Sequence, residues 1–189
     1  MRTRNEKAYR QKKIDIMEQC FDCYAEHGLT GTGLSALAEA CGVSKAAIYN
    51  YFDSLDDLII QATEYCMNQV EREFMAVAPT NAADIMRFID EVPYWTAQKH
   101  GKKYRLMYQV YTLPKFIESG KRFFAGVNDR YHAYAEQLEP QLGIPSETIV
   151  SLIFIFVRAA VHYAMFEDEY YLKCQMTVLK QMVCAYSGQ

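Results

Sequence analysis

The stretch that decides the fold reads Leu34-Ser-Ala-Leu-Ala-Glu-Ala-Cys-Gly-Val-Ser-Lys-Ala-Ala-Ile-Tyr-Asn-Tyr-Phe52. Leu37 and Cys41 are four apart, one helical turn, and share a face. Ile48 and Tyr51 are three apart and share a face of a second helix, while Val43 plugs the angle between the two. Ala38 is small where the second helix must come close. Gly42 falls where the chain needs a left-handed residue, which costs glycine little. Ser44 is placed to cap the second helix by accepting from its free first-turn amides. An ordinary helical hairpin is the plainer alternative. The joint pattern of small residue, glycine, cap and apolar positions favours a helix-turn-helix, whose second helix lies in the DNA major groove.

Working outward, Phe21 and Gly28 precede the stretch, Thr32 sits just before it, and Leu58 follows. With Leu37-Ala38, Cys41-Gly42-Val43-Ser44, Ile48-Tyr49 and Tyr51-Phe52, these residues make Lys13 to Leu58 resemble the N-terminal domain of the TetR family of bacterial transcriptional regulators. The resemblance implies three DNA-binding helices, a larger all-helical effector domain and a homodimer. It covers about the first third of the chain. The rest fits by length and helical character. The departures fall on expected phosphate contacts. Gly33 replaces a hydroxyl residue, Ala46 and Ala47 stand where glycine and threonine are usual, and Leu55 replaces a lysine beside Asp53, Asp56 and Asp57.

Charge is more telling in its distribution than in its total. The net charge is −3, yet residues 1–13 carry Arg2, Arg4, Lys7, Arg10, Lys12 and Lys13 against Glu6 alone. From Asp15 to Leu58 the only lysine or arginine is Lys45. A basic arm ahead of a helix-turn-helix can follow the phosphate backbone or enter the minor groove. A solubilising tail is the alternative. On this reading the DNA-binding residues are Thr32, Ser44, Lys45, Ala46, Ala47, Tyr49, Asn50 and Tyr51. Lys45 can reach a guanine edge or a phosphate, the tyrosines offer hydroxyls and ring faces, and Asn50 can pair with adenine.

The remainder reads as helix, with no strand alternation and no repeat. The expected elements are about Glu6–His27, Leu34–Cys41, Lys45–Phe52, a fourth helix capped by Asp53 or Ser54 and ending near Ala78, Ala82–Gln98, Lys102–Thr112, Pro114–Leu138, Ser146–Phe166 and Glu169–Tyr186. Breaks are expected at Gly101 and Pro140, and Thr32 as the cap of the second helix. The expected fold is therefore all-α with about nine helices. It divides into a helix-turn-helix domain at 1–53 and a helical effector-binding and dimerisation domain at 54–189.

Ile149 to Phe166 is almost wholly apolar, interrupted by Ser151, Arg158 and His162. A central arginine is costly in lipid, so a membrane span is not expected. A helix apolar all round is buried all round, inside its own domain or against a partner subunit. The partner reading places Ile149, Leu152, Ile153, Phe156, Ala160 and Tyr163 at a homodimer seam built as a four-helix bundle. Two heads related by a two-fold axis then read a near-palindromic operator.

Aromatics and methionines are dense between the fourth and seventh expected helices. Trp95, Tyr104, Met107, Tyr108, Tyr111 and Phe123 are the candidates to line a pocket for a small hydrophobic effector. Core packing is the competing reading for each of them. The rival switch is a thiol one, using Cys20, Cys23 and Cys41. A third possibility is a DNA-binding regulator controlled by a protein partner. One Cys-x-x-Cys is weak as a zinc motif, so no metal and no cofactor are expected. No glycine-rich phosphate loop, Gly-x-Ser-x-Gly or His-Glu-x-x-His occurs, so no enzyme is expected. The six cysteines and the lack of an N-terminal apolar run lead us to expect a reducing cytoplasm.

Overall fold

A computed structural model describes residues 2–187. The described residues form eight α-helices: α1 Arg2–His27, α2 Leu34–Ala40, α3 Lys45–Ile48, α4 Leu55–Val77, α5 Ala82–Tyr111, α6 Ile117–Leu142, α7 Ser146–Phe166 and α8 Glu169–Ser187. A short 3₁₀ turn at Pro114–Phe116 precedes α6. Local chemistry sets most ends. Gly28 stops α1 at φ +81°, and Gly143 follows α6 at φ +65°. Ser54 Oγ accepts from the Asp57 amide at 3.0 Å, while Asp57 Oδ2 accepts from the Asp53 amide at 3.0 Å. This reciprocal pair starts α4. Asn81 Oδ1 accepts from the Asp84 amide at 3.2 Å and starts α5.

Three expectations are corrected. The two helices expected at 82–98 and 102–112 are one, because α5 runs unbroken through Pro93 and Gly101. Gly101 is a packing residue. A Cβ there would lie 2.8 Å from the Ala164 carbonyl oxygen, so its missing side chain lets the α5 and α7 backbones meet. Pro140 does not break the chain either, since α6 continues past it to Leu142. Finally, Thr32 does not cap α2. Gly33 holds the cap position without a side-chain bond, and the Thr32 hydroxyl donates to the Gly28 carbonyl at 2.8 Å.

The chain divides into two compact units. One comprises the residues up to Val70 with Arg105–Gly120, and the other Glu71–Tyr104 with the residues from Lys121 on. The division falls within α4, α5 and α6, whereas the sequence-based expectation set it at 53/54. The first unit holds a core of Ile16, Met17, Cys20, Phe21, Leu37, Ile48, Phe52 and Leu58, all buried. The second is built round Phe74, Ile89, Phe156, Leu172, Met176 and Leu179, with a smaller cluster at Ala135, Leu138, Ile144, Ile149 and Val150. Helix α7 is long and apolar enough to cross a membrane by length and composition. Here it supplies eight buried residues, Ile149 to Ala164, to the core of its own unit.

Candidate nucleic-acid interface and apolar cavity

The reading head is assembled by three local devices. Gly42 adopts φ +58°, and the Val43 amide reaches back to the Ala38 carbonyl at 3.0 Å, so the chain reverses within two residues of α2. Ser44 caps α3, its Oγ accepting from the Ala47 amide at 3.1 Å. Ile48 and Phe52 then anchor the reading segment from beneath, each almost fully buried. The regular helix is shorter than expected, ending at Ile48. Beyond it the Asn50 and Tyr51 amides bond to the Ala47 and Ile48 carbonyls at 3.2 and 3.0 Å, three residues back. That tightening is the usual way a helix end satisfies its last carbonyls.

The expected DNA-binding residues divide by placement. Ser44, Lys45, Ala46, Tyr49 and Asn50 are exposed, and Ala47 and Tyr51 are half-buried. Tyr49 is 49% exposed and open to contact with a partner. Thr32 is the exception. It is buried and spends its hydroxyl on Gly28, so it is not offered to a phosphate.

Tyr9 is a residue the sequence reading missed. Its ring stacks on Tyr51 with centroids 4.8 Å apart, and its hydroxyl donates to the Asn50 carbonyl at 3.2 Å. One residue of α1 thus clamps the end of the reading segment, and Lys13 Nζ sits 5.0 Å over the Phe52 ring nearby. No local signal marks Tyr9, because its partners lie more than forty positions along the chain. Of the basic arm, the Arg2 and Arg4 side chains lie outside the described residues. Arg10 is held by Glu6 at 2.6 Å, while Lys7 and Lys45 are exposed.

Beneath the reading segment two sulfurs meet. Cys20 Sγ and Cys41 Sγ are 3.4 Å apart in the core, and Cys23 lies half-buried one turn along α1. The hydrogen bond between the pair holds the Cys41 thiol below the usual range, aided by the Lys12 charge against the effect of burial. The same bond, with burial, pushes Cys20 well up.

The second unit contains a cavity of about 90 Å³. Its walls are almost entirely apolar, among them Phe74, Ile89, Leu138, Ile149, Leu152 and Phe156. None of the six residues expected to line a pocket lines this one. Tyr104 borders a smaller cavity, and Trp95 borders a separate surface groove. Met107 and Tyr111 are buried in the first unit, Tyr108 is half-buried there, and Phe123 is buried in the second. For these aromatics the core reading describes the placement better.

The residues expected at a dimer seam are also placed inward. Ile149, Leu152, Phe156 and Ala160 are buried within the single chain, and Ile149, Leu152, Ile153 and Phe156 line the cavity. Tyr163 is half-buried against the Tyr94 ring at 5.2 Å. The apolar surface left open lies elsewhere. Phe166 at the end of α7, with Tyr170, Val178, Met182 and Tyr186 of α8, are exposed, and so is Cys174. Each four-residue step turns about 40° round a helix, so Tyr170, Cys174, Val178 and Met182 share one face of α8, while Tyr186 has turned away from it and Phe166 belongs to α7.

Residues 16–62 match the model of the bacterial regulatory proteins of the tetR family. The uncharacterized HTH-type transcriptional regulator YerO of Bacillus subtilis (strain 168) is 23% identical over 159 residues. That match spans 82% of this chain but 55% of YerO, so the chain covers about half the length of this curated relative. Among solved structures, a TetR transcription regulator from Haloarcula marismortui ATCC 43049 superposes with a TM-score of 0.70 at 18% identity, covering 93% of this chain and 98% of that one. The transcriptional regulator FadR of Bacillus subtilis, solved in complex with stearoyl-CoA, gives 0.60 at 16% identity over 89% and 96%. At these identities the structural likeness establishes the fold.

Proposed function

We propose that this chain, whose residues 16–62 match the tetR family of bacterial regulatory proteins, is a regulator of that family: a cytoplasmic, homodimeric repressor that binds a near-palindromic operator and is released by a small lipophilic effector. The observation that carries the DNA half is the exposed row Ser44, Lys45, Ala46, Tyr49 and Asn50 on a segment held from below by Ile48 and Phe52. Lys45 and Asn50 are the candidates for base edges, and Tyr49 for phosphate. The exposed apolar residues Tyr170, Val178 and Met182 on one face of α8 support an isologous seam, in which the same patch on two copies covers itself.

The effector half rests on the cavity. Its walls suit an apolar body, and FadR of Bacillus subtilis, of the same fold, was solved in complex with stearoyl-CoA. A volume of about 90 Å³ is well below the several hundred of an ordinary ligand site. Binding must therefore part the walls, and that is how it acts. Phe74 and Met75 of α4 line the cavity, and α4 begins at Leu55, three residues after the reading segment. A ligand that fits only the widened cavity favours the conformation in which α4 has shifted, and so lowers operator affinity.

The test is binding to a duplex recovered from a random pool. Tyr49→Ala is expected to weaken operator and unrelated duplex alike by roughly tenfold, the loss of about one phosphate bond per head. Unchanged affinity at moderate salt removes Tyr49 from the interface.

One observation favours a second mode of control. The 3.4 Å approach of Cys20 and Cys41 is short enough for a disulfide after a small shift, since an S–S bond needs about 2.05 Å. With a peroxide as oxidant, the Cys41 thiolate attacks one oxygen to give a sulfenic acid and release water. Cys20 then displaces the second water to form the bond. Peroxide treatment should remove two hydrogens from the mass, link the Cys20 and Cys41 peptides and reduce DNA binding, with recovery in dithiothreitol. A linked pair that leaves DNA binding unaltered contradicts a sensing role.

A further inference from the structure

The unit that holds the apolar cavity also holds buried polar groups whose hydrogen-bonding capacity is not fully used. Glu71, only 7% exposed, has one carboxylate oxygen without a partner, and the other receives the Tyr131 hydroxyl at a long 3.5 Å. Arg130 carries a buried Nη2 without a partner. Thr96, at 1% exposure, has an unpartnered Oγ1. Buried polar atoms are nearly always bonded, and each one left open is costly. Of these three, Thr96 is the one that lines a cavity.

Thr96, Tyr104, Tyr131, Phe74, Val157, Ala160 and Val161 enclose a second cavity of about 10 Å³, room for one water-sized group. Phe74 and Tyr131 border both this cavity and the larger apolar one, so they are the partition between the two. Tyr131 also joins the groups chemically, its ring facing the cavities and its hydroxyl reaching Glu71. At the other side of the large cavity Tyr134 gives its hydroxyl to the Pro79 carbonyl. That polar atom is already committed, so the open capacity lies at the Tyr131 end.

We propose that the two cavities are one ligand site, and that the effector is an uncharged amphiphile whose apolar body fills the larger part and whose single hydroxyl or amide end sits at the open Thr96 hydroxyl in the smaller part. This deepens the effector reading above and rests on it. The lining decides the class. Neither Glu71 nor Arg130 lines either cavity, so a charged end would be buried at Thr96 without a counter-charge beside it. The Arg130 charge does act on Glu71, opposing the upward push of burial on its carboxyl. A neutral end that donates to or accepts from the Thr96 hydroxyl satisfies that open group without burying a charge. Its entry requires Phe74 and Tyr131 to part, and Phe74 lies on α4.

The experiment uses the full chain and four probes with one tail: 1-octanol, octanamide, octylammonium and octanoate at neutral pH. Affinity is read from saturable shifts in melting temperature. Octanol and octanamide are expected to bind about tenfold or more tightly than the two charged probes, and Thr96→Val to weaken octanol about tenfold while leaving the free protein folded. Four equal affinities, unaffected by Thr96→Val, mean that only the tail is read and a water alone occupies the small cavity. Preference for octylammonium, lost in Glu71→Gln, makes this a cation site. Absence of any saturable shift removes the site. Each of these overturns the proposal. Operator binding is scored on the same preparation, so failure of the regulator reading is seen separately.

Discussion

Val178→Arg is expected to leave the protein monomeric and to weaken operator binding by about a hundredfold or more, because one head alone lacks the linked second half-site. Val178 stands with Tyr170, Cys174 and Met182 on the exposed face of α8. It is about half exposed in the single chain, so a longer side chain there costs the protomer's own packing little. At a self-complementary seam the same substitution appears twice and faces itself across the axis. Two unpaired guanidinium groups in an apolar interface are costly to desolvate and repel each other. Light scattering gives the mass and a duplex titration the affinity, while an unchanged helical circular dichroism spectrum shows that the fold is kept. A variant that remains dimeric and binds normally puts the seam on another surface.

Gly101→Val is expected to destabilise the protein by about 3 kcal/mol or more, the scale of a forced overpacking within a core. For a chain of this size that is a fall of about 2–4 °C in Tm per kcal/mol. The obstacle is backbone: the first added carbon would lie 2.8 Å from the Ala164 carbonyl oxygen, and no side-chain rotation relieves it. Gly101→Ala is the sharper comparison. In an open helix that change gains about 1 kcal/mol from propensity alone. Here the contact should reverse the sign and lower Tm. A rise in Tm would show that α5 and α7 have room between them.

Gly101 also marks the boundary of what the sequence made legible. A glycine in a polar, lysine-flanked run reads as a helix end, and the chain gives no local sign that Ala164 approaches it. The turn was legible because its causes are local. Gly42 must be left-handed, Ser44 must cap, and Ile48 and Phe52 must face inward, all within one short segment. Thr32 shows local rules competing with each other. Its hydroxyl turned back to the Gly28 carbonyl, a common alternative for threonine, and left Gly33 at the cap.

The cavity was less accessible still. Periodicity identifies which face of a helix is apolar, but not which apolar residues meet their neighbours and which stop short of them. Trp95, Tyr104 and Phe123 were singled out for size, yet the larger cavity is walled mainly by aliphatic residues and by Phe74, Phe88 and Phe156. Those three rings pack together at centroid distances of 4.8 to 6.1 Å. Glu71 and Thr96 drew no notice in the sequence, since polar residues on helices usually face water. Only their burial, together with the open atoms around them, gives them meaning. Helix α7 illustrates the same limit for the dimer. Its apolar run called for a covering partner, and the second unit's own helices supply much of that cover, leaving the exposed stripe mainly on α8.

The central claim is that two copies of the Ser44–Phe52 head read one two-fold site. The most direct measurement is selection of random duplex DNA by the purified protein, at salt high enough that phosphate attraction alone cannot retain a sequence. The account predicts an enriched near-palindrome, two half-sites at a fixed spacing, recovered by the wild type and not by Val178→Arg. A pool that stays random, or a single unrepeated half-site bound equally by both proteins, contradicts it.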